Sequence, residues 1–586
     1  MLQSIVSRLH RRAGLLLGGW RGSRSLDRLE PRQVLAADLS VTLDSVVTGF
    51  DWLVPGDRVV FNVTVSNTGD EAAVGEADLK TGAQLVERDI SEDPDLLFSS
   101  RRLFVDLAPG ASQTFKLLGK VPAVFTPGEY RLGAGIEVPG SIDAGGSSNP
   151  VNDANELNNL AIADEQLGLY YRFGNWIGDT ARNTRPNLKL QAYFNEDGSD
   201  VPGTGDDDQL AGWDDPAFVP SPSMVLVNVS LTGGGFGEMT PTDSGMSLEL
   251  SETGTASAFS FLVRTGSKQM TFGGDVVVNG SLKSFRALGI SFVDASIDIS
   301  GSLADFSASD LERVALSVGE AGAPMKFAAG DMTDVSIDTP SAIASFRVKS
   351  WNVGAEANPD DPGQGPGGSA VENNLTAPWV GQFASLGGAN FNMNLSGEGA
   401  RNGVALSKLS VKGVVSGDWS VRGAAGTLAF DSSDEEFFAS FAGGLSSLTT
   451  LGNLSGVVTA YSMTRVSVRG DLVNATLGSG GFLGDDLDLG GEGNDADIAP
   501  PGLTFGIIGQ LTVGGGVIGS SIYCGYNPVS ETEGVWNEGQ TSALRRLTVR
   551  TEITESVVFA RSLPAVLVVG GERITTAQFP EVFVSA

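Results

Sequence analysis

The chain holds one cysteine and one histidine in 586 residues. Cys524 has no partner for an intramolecular disulfide, so cysteine usage says nothing about the redox compartment. His10 lies close to the start, which leaves the rest of the chain without the commonest general base and metal ligand. Ser-His-Asp and Cys-His catalysis and His-ligated zinc are thereby excluded. No apolar run approaches the roughly 18 residues of a membrane-spanning helix, and Ala13–Trp20 is short and interrupted by glycine. Basic residues are scarce as well. The 38 Lys and Arg face 70 Asp and Glu, for a net charge of −32, which argues against nucleic-acid binding. Such a surface repels copies of itself or collects cations.

Glycine is abundant, at 78 residues, and without a Gly-X-Y period this implies many tight turns. The chain exceeds the roughly 250–300 residues that one core serves, so several domains or a repeat array are expected. The arginines are unevenly placed. Residues 1–37 carry Arg8, Arg11, Arg12, Arg21, Arg24, Arg28 and Arg32 against Asp27 and Glu30. A basic leader before an acidic body is the pattern of a targeting segment. The end, Val584-Ser585-Ala586, has no basic stop-transfer flank, so no anchor is expected there.

Within the leader, Leu29-Glu30-Pro31-Arg32-Gln33-Val34-Leu35 resembles the LEPR-XLL motif of planctomycete-type bacterial surface proteins. Leu29, Glu30, Pro31, Arg32 and Leu35 match, while Val34 stands where that family has Leu. The resemblance implies export, with processing near Ala36-Ala37, and a location at the cell surface or outside the cell.

Over 38–165 the hydrophobic period is two: Leu39, Val41 and Leu43, then Val59, Phe61, Val63 and Val65. Alternation marks strands buried on one face. Pro55-Gly56-Asp57, Asn67-Thr68-Gly69, Ala108-Pro109-Gly110 and Thr126-Pro127-Gly128 supply turns. A β-sandwich follows. These pieces, closing on Val151-Asn152-Asp153-Ala154-Asn155-Glu156-Leu157-Asn158-Asn159, resemble CARDB domains, which implies an immunoglobulin-like adhesive or spacer module without catalytic residues. Asp153, Asn155, Glu156, Asn158 and Asn159 are closely spaced oxygen donors. They suit either a Ca²⁺ site or the backbone of a turn.

An irregular acidic connector is expected over 166–222. Beyond it an apolar-x-apolar-x-Gly unit recurs, as in Val276–Gly280, Ile297–Gly301, Leu409–Gly413, Trp419–Gly423, Val466–Gly470, Leu511–Gly515 and Val566–Gly570. Two inward apolar residues make a short strand, and glycine permits the corner. Gly280 and Gly301 are 21 apart, one coil of a right-handed parallel β-solenoid. Two arms are expected, 223–353 and 378–586, either side of a Pro/Gly/Asp linker or loop at 354–377. The spacing of 10 between Leu409 and Trp419 equally suits hairpins, so further antiparallel β-sandwiches remain the alternative. The expected class is all-β throughout.

Three other groups bear on function. Gly490–Asp495 matches the start of the Ca²⁺-binding nonapeptide, and Asp485, Asp486, Asp488, Asp495 and Asp497 of the acidic loop 484–500 either gather Ca²⁺ or are solvated. Outward Asp298, Lys412, Arg422 and Arg469 are the candidates for a polysaccharide lyase or hydrolase on a solenoid, which needs convergent charges. Tyr170, Tyr171, Phe173 and Trp176 serve either sugar stacking or packing between domains. The reading that fits most of this is an exported, non-catalytic structural or adhesive protein with no cofactor other than Ca²⁺, whose partner is a surface protein or polysaccharide. The alternatives are the polysaccharide-active enzyme and a Ca²⁺-dependent carbohydrate-binding protein.

Overall fold

The computed structural model describes residues 37–86, 96–138, 158–177, 180, 184–195, 224–242, 245–264, 268–354, 373–480, 506–528, 534–536, 542–564, 567–578 and 582–584. The leader motif, the donors Asp153, Asn155 and Glu156, and the acidic loop with Asp485, Asp486, Asp488, Asp495 and Asp497 lie outside these residues. The described residues form strands with short 3-10 turns and no α-helix, as the alternating pattern requires.

The first part is two sheets. One joins Leu39–Thr48, Arg58–Asn67 and Ser112–Lys120 in antiparallel order. The other orders Trp52–Leu53, Leu160–Leu169, Gly128–Glu137, Ala73–Leu85 and Leu96–Leu107. The inward residues Val59, Phe61, Val63 and Val65 are fully buried, and Phe61 meets Phe98 of the other sheet at 6.1 Å. Buried Asn67 links the sheets, its Nδ2 donating to Leu107 O at 2.9 Å. At the Ala108-Pro109-Gly110 turn, Ala111 N donates to Ala108 O at 2.9 Å, and Gly110 adopts the left-handed φ of 73°.

The segment expected to be an irregular connector carries two strands, Tyr171–Trp176 and Arg185–Asn195. Its buried Leu190, Ala192 and Phe194 alternate over too few residues to stand out between acidic turns. With Met224–Thr232, Phe236–Thr242, Gly245–Thr253 and Ala258–Val263 these strands pair antiparallel, and lead directly into a parallel stack.

From there two series of parallel strands interleave, here called ladders, and the first is bent at left-handed Asp294, Arg313 and Asp334 into two runs that part at Asp331–Asp338, one pairing on to Trp351 and the other to Leu375. Gly245–Thr253, Met270–Gly280, Ile290–Ile299, Leu311–Val318 and Asp331–Asp338 pair in parallel as the first. Ala258–Val263, Ser284–Leu288, Asp305–Ala308, Met325–Ala328, Ile343–Val348 and Val380–Ser385 form the second. The pairing within both series is parallel. Leu409 and Trp419 are not a hairpin. Both lie in Val404–Val421, where Leu409 pairs with Phe383 of the second ladder and Trp419 with Met393, which continues the first. The ladders also run across residues 355–372, since Ile337 pairs with Leu375 and Phe346 with Phe383.

Each rung advances about 20 residues and about 4.8 Å, so like side chains stack. In the first ladder the inward column runs Leu248, Val276, Ile297, Leu316, Ile337, Leu375, Met393, Trp419, Ala439, Val458, Leu477, Ile522, Val558 and Phe583. In the second, Phe285, Phe306, Phe327, Phe346 and Phe383 stack at 5.4, 5.0, 4.5 and 4.9 Å, within 10° of parallel, a spacing the rungs impose. The corners stack too. Gly301 N donates to Gly280 O at 2.9 Å, and Leu282 N to Ser302 O at 2.7 Å. Gly280 has φ 134°, and a Cβ there would lie 2.3 Å from Thr253 O.

Candidate functional site

The aromatic cluster after the sandwich falls on a strand whose alternate residues face opposite ways. Tyr171 and Phe173 are buried. The ring of Tyr171 stacks on Phe125 of the sandwich at 4.7 Å, and its hydroxyl donates to Phe125 O at 2.8 Å. On the other side, Arg172 lies over the rings of Tyr170 at 3.8 Å, Trp176 at 4.4 Å and Trp52 at 5.1 Å. Its Nε donates to Glu238 at 2.9 Å. Tyr170 donates to Glu129 at 2.5 Å, and burial, then that bond, pushes its phenol up to about 12. A guanidinium occupies the ring faces that a sugar would need. The cluster packs the sandwich against the strands that follow it.

A second arginine closes the same junction. Arg185 donates two bonds of 2.7 Å to Asp57 and lies over Phe50 at 4.0 Å and Trp52 at 4.8 Å. Asp57 is placed by the Pro55-Gly56 turn, where it also accepts from Val54 N at 2.9 Å. The sequence pattern gave this turn a local role only; its reach to Arg185 spans 128 residues.

The remaining candidates stay apart. Asn158 Nδ2 donates to Asp38 at 2.9 Å, and Asn159 O accepts from Ile136 at 2.9 Å, so both serve the sandwich edge. Exposed Asp298 lies mid-rung in the first ladder and Arg422 follows that ladder's Val421, whereas Lys412 and Arg469 end rungs of the second. Among the described residues no three His, Cys, Asp or Glu gather as a metal site, and no helix is long and apolar enough to cross a membrane. Cys524 is buried, and burial pushes its thiol up to about 12, so it is a packing residue.

The stack brings together what sequence spacing did not reveal, two faces of opposite sign. Outward positions of the second ladder hold exposed Arg286, Lys326, Arg347, Lys408, Arg465 and Arg546. One acid joins them, Asp305, 3.7 Å from Arg286. Outward positions of the first ladder hold exposed Glu249, Asp275, Asp298, Glu312 and Asp338. Arg313 there pairs with Asp294 at 2.5 Å and holds its carboxyl below the usual range.

No protein-family profile matches the chain, and no curated protein matches it. Among solved structures it is similar to the CARDB domain of a Pyrococcus furiosus protein in complex with di-metal ions, at 18% identity and TM-score 0.15, over 23% of this chain and 94% of that one. A β-glucosidase of Erythrobacter marinus is similar at 17% identity and TM-score 0.14, over 23% of this chain and 15% of that one. The sporulation control protein Spo0M of Bacillus subtilis is similar at 15% identity and TM-score 0.15, over 37% of this chain and 79% of that one.

Proposed function

We propose that this chain is an exported, non-catalytic structural or adhesive protein of the cell surface or extracellular space. In this reading an immunoglobulin-like, CARDB-like module carries a right-handed parallel β-solenoid. The observation behind it is the unbroken inward column from Leu248 to Phe583. Such a column makes a long body with flat outer faces rather than a cleft. Stacked rungs suit extended binding surfaces. Fractionation of the producing cell tests the location: protein recovered only from the cytoplasm would refute export. Incubation with neutral and acidic polysaccharides tests the non-catalytic role, with no release of smaller sugars expected.

A further inference from the structure

We infer that the outward face of the second ladder binds a linear, carboxylated polysaccharide laid along the stack, one sugar against each rung. This rests on the reading of the chain as a non-catalytic surface protein and names the partner that surface takes.

The charge is the first reason. Acids outnumber bases 70 to 38 in the chain, yet this face reverses the balance. Lys326, Arg347, Lys408, Arg465 and Arg546 are exposed, and none forms an ion pair among the described residues. Asp305 lies one rung from Lys326, but among the described residues Arg347, Lys408, Arg465 and Arg546 have no carboxylate partner on their face, which suits a surface that takes a polyanion.

The floor between the cations is the second reason. Lys326, Ser345, Gln382, Lys408 and Thr427 occupy successive rungs of one outward column. Ser447, Arg465 and Gln510 continue it. Beside it run Arg286, Ser307, Ala328, Arg347, Ala384 and Ser410. Short hydroxyl, amide and methyl side chains leave a flat bed that long Lys and Arg side chains overhang. Hydroxyls and amides donate to and accept from sugar hydroxyls, while Arg grips carboxylates with two bonds.

Spacing is the third reason. Rungs about 4.8 Å apart approximate one pyranose in an extended chain, and Lys326 and Lys408 are roughly 14 Å apart at that rise. No aromatic residue occupies either outward column, and single-stranded nucleic acids rely on such rings for stacking.

The full-length protein is titrated by calorimetry with polygalacturonate, neutral dextran and single-stranded DNA. Polygalacturonate should bind, weakening as salt rises from about 0.05 to 0.5 M, while dextran should not. The variant Lys326→Gln/Arg347→Gln/Lys408→Gln/Arg465→Gln should lose at least about tenfold in affinity. Asp298→Asn/Asp338→Asn, on the first ladder, should bind as before. Both variants alter exposed side chains, and circular dichroism checks their folding. Absence of polygalacturonate binding, equal binding by the folded basic-face variant, or tighter binding of DNA overturns the inference. Release of shortened uronate products in the same samples would instead overturn the non-catalytic reading.

Discussion

The sandwich and the ladders bury alternating strands in different ways. In the sandwich an inward side chain meets a residue of the opposite sheet distant in sequence, as Phe61 meets Phe98. In the ladders it meets its own counterpart one rung away, as Phe306 meets Phe327. A sandwich therefore needs two complementary surfaces. A ladder needs only that each rung repeat the last, and it keeps its register either side of residues 355–372, where Ile337 pairs with Leu375 and Phe346 with Phe383.

Truncation inside the aromatic column breaks the ladder side of this comparison most strongly. Phe346 touches Phe327, Phe383 and Trp351, so Phe346→Ala should cost about 3–5 kcal/mol, read by denaturant unfolding. The junction ranks next. The Arg185 side chain is 7% exposed, and Arg185→Ala strands Asp57, for a loss of roughly 3 kcal/mol. Calorimetry should then show the sandwich and ladders melting further apart than in the parent protein. Gly280→Ala tests the corner, where strain should cost about 1–3 kcal/mol.

Alkaline pH gives a smaller effect. Burial holds the Cys524 thiol up to about 12, whereas an unfolded thiol titrates near ~8.5. The unfolded state thus loses its proton first, and stability present below ~8.5 declines as pH rises toward the folded value. Melting temperatures at neutral and alkaline pH should show that decline, reduced in Cys524→Ala. Smallest is Asp294→Asn. Its carboxyl is lowered by Arg313, so the pair stabilises above the unfolded carboxyl pKa and fades as pH falls through the folded one. The pair is solvent-screened, and its loss should cost below about 1 kcal/mol in melts at neutral pH.

The all-β class and the glycine corners were legible because period-two alternation and Gly-x-Leu are local signals. Val276 and Ile297 pair as their spacing implies. The distance from Val466 to Leu511 is a single rung with an insertion, which spacing alone could not separate from a boundary. The recurrence of Phe285, Phe306, Phe327 and Phe346 was visible in the sequence but gains meaning only when those residues stack. Left-handed Asp294, Arg313 and Asp334 hold a further corner that the glycine unit did not mark. The basic face was hidden because its residues are some twenty or more positions apart in a chain of opposite net charge. Apart from Asn158 and Asn159, the candidate Ca²⁺ donors fall outside the described residues, so their role stays an expectation for calcium titration.

Cross-linking tests the parallel stack most directly. Ser307 and Ala328 pair on adjacent rungs, and neighbouring strands place such residues within disulfide reach. In Ser307→Cys/Ala328→Cys a disulfide should form under mild oxidation. Ser307→Cys/Ala384→Cys, roughly 14 Å apart at three rungs, should remain reduced. Equal oxidation of both, or oxidation of the second alone, would contradict the stack.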